Sequence, residues 1–266
     1  VNPSGKLAET FPRRLEDNPS YLYFFGDEQN KTEYREGVFV GYRYYDKKNM
    51  DVLFPFGYGL SYTTFEYSNL TLDKSEMKDT DTLTVSVNVR NTGKVKGKEV
   101  VQLYVAKPES RTIRPVKELR GFEKIELEPG EEKAVTFTLT KRAFAYYRTD
   151  ISDWYVESGD YTIMAAKSSR DIACTATVNV TSTTQIKRVY TMNSTIEEIM
   201  ESPVGREILG KMMAQNPLAQ ADADDIGMGE AMARMMAEMP LRALLSFGGD
   251  SVPAGAGEML LKQLNA

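Results

Sequence analysis

Between residues 83 and 180 the sequence alternates apolar and polar residues in short runs that turn signals interrupt. The first run, LTVSVNVRNTG, alternates in this way over residues 83–93 and ends in the turn signal NTG. Its apolar face consists of Leu83, Val85, Val87 and Val89. A period of two over such a length is typical of a strand that is buried on one side. This pattern restricts the middle of the chain to an antiparallel sheet protein.

Further strands are predicted along the same stretch. They lie at 99–108, in the two halves of 117–140 on either side of the turn EPGE, at 154–169 and at 172–180. Short strands separated by turns over about 115 residues are typical of a β-sandwich of the immunoglobulin type. The sequence therefore predicts an antiparallel β-sandwich over residues 66–181.

The segment 1–65 is rich in glycine, proline and aromatic residues and shows little helical periodicity. The stretch EGVFVGYRYYD at 36–46 contains a short apolar run that predicts a buried strand. A segment this short and this rich in turns buries too little surface to fold alone, so we expect it to cover another domain. The alternative is that its aromatic residues stack on sugar rings. That set consists of Tyr21, Tyr23, Phe24, Phe25, Tyr42, Tyr44 and Tyr45.

Residues 182–266 change character to a polar linker followed by helical patterns. Ser194 and Glu197 have the spacing of a capping box, and further short helices are predicted at 229–239, 240–247 and 257–264. Ten of the thirteen methionines lie from Met192 onward. Methionine-rich helices form either a soft core or an adaptable docking surface, so this tail is a candidate for holding a homo-oligomer together.

Composition excludes several kinds of chemistry. The 266 residues carry a net charge of −5 and no basic run, which argues against nucleic acid or an anionic membrane as partner. Histidine is absent, so neither Ser-His-Asp catalysis nor a histidine-ligated metal site is possible, and we expect no cofactor. Cys174 is the only cysteine, which favours a reducing compartment, and we expect a cytoplasmic bacterial protein.

The triplet Ser152-Asp153-Trp154 has two interpretations. Retaining glycosidases use such an aspartate as nucleophile, with a second carboxylate about 5 Å away. Asp153 also lies between two predicted strands, where an aspartate commonly bonds the amides of a turn. In that second case we expect Asp153 at the surface and Trp154 mostly buried against strand residues such as Val101, Leu103 or Phe137.

Several longer stretches together resemble the carboxyl-terminal half of glycoside hydrolase family 3 β-glucosidases. They are VNPSGKLAETFP, YREGVFVGYRYYD and LFPFGYGLSYTTFEYSNL in the first segment. VRNTGKVKGKEVVQLYV, PVKELRGFEKIELEPGE and WYVESGDYTIMAAKSSRDI resemble the fibronectin type III-like domain of that family. The resemblance covers residues 1 to about 181, and the last 80 residues resemble helical tails of some bacterial members.

The resemblance implies a mainly β chain with three parts. Residues 1–65 would end an α/β sandwich domain and link it onward, 66–181 would form the fibronectin type III-like β-sandwich, and 182–266 would be the linker and helical tail. In the family the nucleophile belongs to a (β/α)8 barrel and the acid/base glutamate to the α/β sandwich domain. Neither falls on a position of this chain, so Asp153 would be a coincidental match and the chain alone inactive.

The same resemblance implies the partners. They are the barrel and α/β sandwich domains of the same enzyme and, through that enzyme, β-glucosides or cello-oligosaccharides that are cleaved at terminal non-reducing β-D-glucosyl residues with retention. A carbohydrate-binding or oligomerisation module is the alternative function.

Overall fold

The structure is a computed structural model that describes residues 1–24, 33–186, 188–214, 234–247 and 255–265. It divides into two compact units, Val1–Gln185 and Ile186–Ala266. The division into three parts at residues 65 and 181 stays a prediction.

The strands of the first unit follow one another in short segments, as the alternating pattern predicts. In chain order they are β1 (Phe11–Pro12), β2 (Val52–Phe54), β3 (Phe65–Leu72), β4 (Glu76–Lys78), β5 (Leu83–Asn91), β6 (Gly97–Ala106), β7 (Glu118–Leu127), β8 (Glu132–Leu139), β9 (Tyr146–Arg148), β10 (Asp153–Tyr155), β11 (Gly159–Ala166) and β12 (Ile172–Thr181). Two short α-helices interrupt them, α1 (Tyr42–Lys47) and α2 (Lys141–Phe144), and Leu15–Asp17 form a 3-10 helix between β1 and β2.

Two main sheets make the predicted β-sandwich. One has five strands in the order β4-β12-β11-β6-β7, and the other has three in the order β3-β5-β8. All neighbours in these sheets are antiparallel except β4 and β12, which run parallel. Two smaller sheets, β1-β2 and β9-β10, lie outside them. The predicted fold class, mainly β with a fibronectin type III-like sandwich, is confirmed.

The core of the sandwich is built from the predicted apolar faces. Leu83 and Val85 of β5 are fully buried in one cluster with Leu103 of β6 and Ile163 of β11. Val87 and Val89 continue the same face into a second cluster with Val101, Leu127 and Ala165. The period of two in the sequence thus places one side of β5 against the opposite sheet.

The prediction of a buried strand within 36–46 is wrong. Residues 42–47 form helix α1 instead, and Val38 and Val40 before it are 56% and 59% exposed. Gly41 at the start of the helix has φ +59, a left-handed conformation that redirects the chain and ends any extended run there. The strand predicted at 154–169 is also interrupted, because β10 and β11 are separate strands.

The second unit contains α3 (Ile196–Met200), α4 (Pro203–Ala214), α5 (Leu241–Phe247) and α6 (Ala256–Leu264). Helix α3 begins with a capping box, but its members are Thr195 and Glu198, one position after the predicted pair. The helix predicted over 229–239 lies partly outside the described residues, and 234–237 is helical. Buried side chains from all four helices meet in one cluster: Ile196, Ile199, Leu209, Leu241, Leu260 and Leu264. Among the described residues no helix is long and apolar enough to cross a membrane.

Candidate functional site

Asp153 lies at the surface beside a turn, as the second interpretation of its triplet predicts. It begins β10, and its carboxylate Oδ1 accepts a hydrogen bond of 2.6 Å from the backbone N–H of Trp154. Ser152 before it has φ +52, which places the turn immediately ahead of the strand. Asp153 lines neither of the two clefts described below. Its surroundings fit a residue that orders a turn.

Trp154 has only a minor part of its surface exposed and packs against the first core cluster, which contains Leu103, as expected. Its ring packs at the margin of the first core cluster, with the ring of Tyr147 edge-on at 5.5 Å. The guanidinium of Arg142 lies 3.1 Å from the ring centroid on a face of the indole. Its position at the margin follows from the topology, since β9 and β10 form a hairpin outside the two main sheets.

The aromatic residues proposed for sugar stacking do not form one platform. Tyr42 and Tyr45 of α1 are buried, and the ring of Tyr42 lies 4.9 Å from Phe56 and 5.9 Å from Tyr104. The hydroxyl oxygen of Tyr42 accepts a hydrogen bond of 2.8 Å from the backbone N–H of Leu119. These contacts fasten α1 to the sandwich and occupy the ring faces that a sugar would need.

The remaining aromatic residues of that set have varied surroundings. Tyr44 is half-buried and packs edge-on against Tyr45 at 5.6 Å. Tyr23 is half-buried beneath the guanidinium of Arg35, 4.6 Å from its ring centroid, while Tyr21 is half-buried and Phe24 is exposed. Phe25 lies outside the described residues.

Buried ion pairs hold the N-terminal segment on the sandwich. The ammonium of Lys6 lies 2.9 Å from a carboxylate oxygen of Glu99 on β6, and both side chains are largely buried. The hydroxyl of Tyr67 donates a hydrogen bond of 3.3 Å to the same carboxylate. Burial, followed by the nearby Glu99 charge, raises the pKa of Tyr67, so this phenol stays a donor. Because an unpaired buried charge is costly, the pair fixes the position of Lys6.

A second buried carboxylate, Asp46 of α1, joins the helix to two places on the sandwich. Its oxygens lie 2.7 Å from the ammonium of Lys117 and 3.0 Å from the guanidinium of Arg170. Arg170 also donates a hydrogen bond of 2.7 Å to the backbone carbonyl of Met50. Asp46 therefore acts as a clamp between α1 and the five-stranded sheet.

The turn 55–58 docks on the sandwich by a close approach of its backbone to β6. The amide of Gln102 on β6 donates to the carbonyls of Gly57 and Lys167, at 3.1 and 2.8 Å, and accepts a 2.7 Å bond from the Tyr104 hydroxyl. Gly57 has φ +80, and a Cβ at this position would overlap the amide group of Gln102. Only glycine adopts this positive φ without strain and also leaves room for the Gln102 amide. Burial raises the pKa of Tyr104, which keeps its hydroxyl protonated as the donor.

Three arginines surround one carboxylate where α1 meets β7. Glu118 lies 2.7 Å from Arg120, 3.5 Å from Arg43 and 3.9 Å from Arg114. Burial, opposed by the attraction of Glu118, lowers the pKa of Arg120. We call these four residues the arginine cluster. None of the four was a candidate from the sequence, although Glu118 and Arg120 stand in the predicted strand region 117–140.

Large apolar side chains are exposed on the N-terminal segment. About half of those exposed among the described residues lie in the first 65 positions of the 266-residue chain. They are Val1, Phe11, Leu15, Leu22, Phe24, Tyr34, Val38, Val40, Leu53, Leu60 and Tyr62. We call this set the N-terminal apolar surface. A concentration of this kind is typical of a protein–protein contact surface.

Two open clefts lie on the first unit. One, of about 440 Å³, has the Lys6–Glu99 ion pair in its wall. The other, of about 740 Å³, contains Glu157, which accepts hydrogen bonds from Ser110 and Arg111, and Asp160, which accepts one from Asn179. These carboxylates thus already have donors that fix loops and strand ends. Within the described residues no group of three metal-ligating side chains comes together.

Comparison with known proteins finds a family model and several relatives that match this chain. A family model described as "Fibronectin type III-like domain" matches residues 99–169. The chain is 50% identical over all of its 266 residues to a "Thermostable beta-glucosidase B" of Acetivibrio thermocellus. It is 41% identical over 94% of its length to an "Exo-alpha-(1->6)-L-arabinopyranosidase" of Bifidobacterium breve.

Among solved structures, the GH3 β-glucosidase of Bifidobacterium adolescentis matches 79% of this chain at 42% identity with a TM-score of 0.67. That match takes up 30% of the neighbour's chain, and the two relatives above are matched over 35% and 32% of theirs. The chain spans about a third of the length of these proteins.

Proposed function

Because the chain belongs to glycoside hydrolase family 3, as part of its carboxyl-terminal region, we propose that it is a structural region of a retaining β-glucosidase. The complete enzyme would hydrolyse terminal non-reducing β-D-glucosyl residues. In it, this region completes the α/β sandwich domain through its N-terminal segment and braces that domain through the fibronectin type III-like sandwich.

The observation that carries this proposal is the N-terminal apolar surface. One side of the N-terminal segment is fixed to the sandwich by the Lys6–Glu99 pair, the Asp46 clamp and the turn at Gly57. Large apolar residues on the same segment, such as Val38 and Leu60, are left to solvent. A segment that is bound firmly on one side and apolar elsewhere is what an interface between two domains requires.

We also propose that the chain alone is inactive. Retaining hydrolysis requires a carboxylate nucleophile and a second carboxyl group as acid and base, about 5 Å apart. The family resemblance assigns both to parts of the enzyme other than this region. Asp153 orders a turn through the Trp154 amide, and Glu99 is neutralised by Lys6, so each has a structural use.

The glycone specificity belongs elsewhere in the enzyme under this proposal. Relatives named as a β-glucosidase and as an arabinopyranosidase are 50% and 41% identical to this chain across nearly its whole length. A region that is shared by enzymes named for different sugars is better suited to support than to sugar selection.

The test is an activity assay with reconstitution. We expect the isolated chain to show no turnover of a chromogenic β-glucoside, and mixing with the separately produced barrel and α/β sandwich domains to restore it. Val38→Glu with Leu60→Glu should weaken that association, because the two charges would enter an apolar interface. Val204→Glu, at an exposed position of the second unit, is the matched control. Turnover by the isolated chain that Asp153→Asn abolishes would overturn the proposal.

A further inference from the structure

The arginine cluster contains more positive than negative charge. Three guanidinium groups, those of Arg43, Arg114 and Arg120, share the single carboxylate of Glu118. Arg114 and Arg120 are strongly buried, with 9% and 18% of the side chain exposed, and Arg43 keeps 32% exposed. Counting one charge on each group, the cluster carries a surplus of two positive charges in a partly desolvated place. Such a surplus is unfavourable unless an anion is nearby.

The hydrogen bonds of the cluster also show that acceptors are too few for its donors. Nε of Arg43, Nη1 of Arg114 and Nε of Arg120 are buried and have no acceptor. Other donors of the group are used, since Nη2 of Arg114 donates to the carbonyl of Phe144 at 3.3 Å. Native structures satisfy the great majority of buried donors, and one left without an acceptor costs free energy. Three in one cluster therefore indicate that an acceptor is missing.

The surroundings favour a polypeptide as the source of that acceptor. Next to the cluster, Lys117 and Arg170 share the one carboxylate of Asp46, so the basic surplus extends along the seam between α1 and the sheet. The chain as a whole is acidic, with a net charge of −5, so this basic surplus is local. The large apolar side chains that flank the cluster in sequence are exposed: Ile113, Val116 and Phe122. A basic centre with an apolar border is suited to an acidic side chain on a protein surface and less to a small free anion.

We propose that the arginine cluster is a docking site for an acidic side chain of another part of the family 3 polypeptide. The incoming carboxylate binds Arg43, which keeps 32% of its side chain exposed, and balances the surplus charge. Guanidinium groups suit this role because their planar donors match a carboxylate in pairs. The proposal rests on the proposed function and gives the N-terminal segment a polar anchor beside its apolar surface.

The first experiment compares Arg43→Gln in two settings. In the isolated chain this variant should melt at the same temperature as the wild type or higher, because it removes surplus charge. In binding to the separately produced barrel and α/β sandwich domains it should lower the affinity at least tenfold, because a paired carboxylate loses its partner. Arg90→Gln removes an exposed arginine of β5 and is the matched control for both measurements.

The second experiment identifies the acidic residue. In the complex of the Arg43→Lys variant with the other domains, the new lysine supplies an amine that a carbodiimide condenses with a carboxylate in contact. Peptide mass spectrometry should then find a cross-link from position 43 to an aspartate or glutamate outside this chain, and Arg90→Lys should give none to the same residue. A cross-link to Glu118 alone would overturn the docking proposal.

The outcomes separate the two proposals. Failure of the wild-type chain to bind the other domains contradicts the proposed function. Equal binding by the wild type and Arg43→Gln contradicts the docking site alone. A rise in the melting temperature of the isolated chain in glutarate over chloride at equal ionic strength, lost in Arg43→Gln, tests the carboxylate chemistry directly. If glutarate raises the melting temperature but the other domains do not bind, the site takes a free carboxylate. That result would overturn the proposal that the carboxylate belongs to another part of the polypeptide.

Discussion

Asp153 and Trp154 are neighbours in the chain, yet at the scale of the residue they have different surroundings. The carboxylate of Asp153 faces solvent and bonds the next amide at 2.6 Å. The indole of Trp154 lies between Arg142, on its face, and Tyr147, at its edge. A triplet that matches a nucleophile motif by letters is here a turn residue, Ser152, followed by the first two residues of a short strand. The geometry around a carboxylate, and not its neighbours in sequence, indicates its chemistry.

These surroundings predict different costs for two adjacent truncations. Asp153→Ala should lower the free energy of unfolding by about 1 kcal/mol or less, the scale of one exposed turn bond. Trp154→Ala should lower it by roughly 2–3 kcal/mol, at or below the 3–5 kcal/mol of a fully buried aromatic, because the ring packs at the margin of the core and a minor part of its surface stays exposed. Chemical denaturation of the chain measures both, and each variant controls for the other. Equal costs would contradict the placement of Trp154.

The buried position of Glu99 could have been predicted from the sequence. It shares a face of β6 with Val101 and Leu103, so a charge at this position of an alternating pattern falls on the buried side. Burying such a charge requires a partner, but nothing in the pattern indicates which. The partner is Lys6, 93 positions earlier, and only the folded chain brings the two together.

At the scale of the element, predictions held where one period governed a whole segment. Strand β5 was correctly predicted because its apolar residues repeat every second position over its length. The run at 36–46 failed because Val38 and Val40 alternate for too few positions before Gly41 turns the chain. The capping box shifted from Ser194 to the next position because adjacent hydroxyl residues both fit the motif. Local patterns do not contain the tertiary contacts that decide such cases.

Two turns of the same kind allow a matched test of how the first segment docks. Gly57 and Gly130 have φ +80 and +79, and each stands third in a turn closed by a backbone hydrogen bond. A Cβ at Gly130 would meet no atom within 4 Å, whereas one at Gly57 would overlap the Gln102 amide. Gly130→Ala should cost about 1–2 kcal/mol of backbone strain, and Gly57→Ala clearly more. Thermal unfolding of both variants measures the difference, and equal melting temperatures would refute the close approach.

At the scale of the whole molecule, the chain consists of two compact units of unlike composition. The second unit has its own core around Ile199, Leu209 and Leu241, and it leaves methionines exposed on its helices, among them Met200, Met235 and Met259. Exposed methionines adapt to varied surfaces, which suits contact with a second copy or another subunit. An oligomer held by this unit stays a prediction.

Removing residues 186–266 from the full-length enzyme tests that prediction. We expect the mass measured by light scattering to fall to that of a single polypeptide, since the proposed contact surface is lost with the second unit. An unchanged near-ultraviolet circular dichroism spectrum of the first unit would show that the sandwich remains folded. An oligomer of the original size would contradict the role of the second unit.

The way the N-terminal segment is fixed also determines where family members can be recombined. A chimera joined at residue 65, at the start of the sandwich, would combine Lys6, Asp46 and Gly57 from one parent with their partners from another. These partners are Glu99, Lys117, Arg170 and Gln102. A crossover near residue 186 keeps each compact unit from a single parent. In a library of hybrid enzymes, segment and sandwich should therefore be inherited as one block.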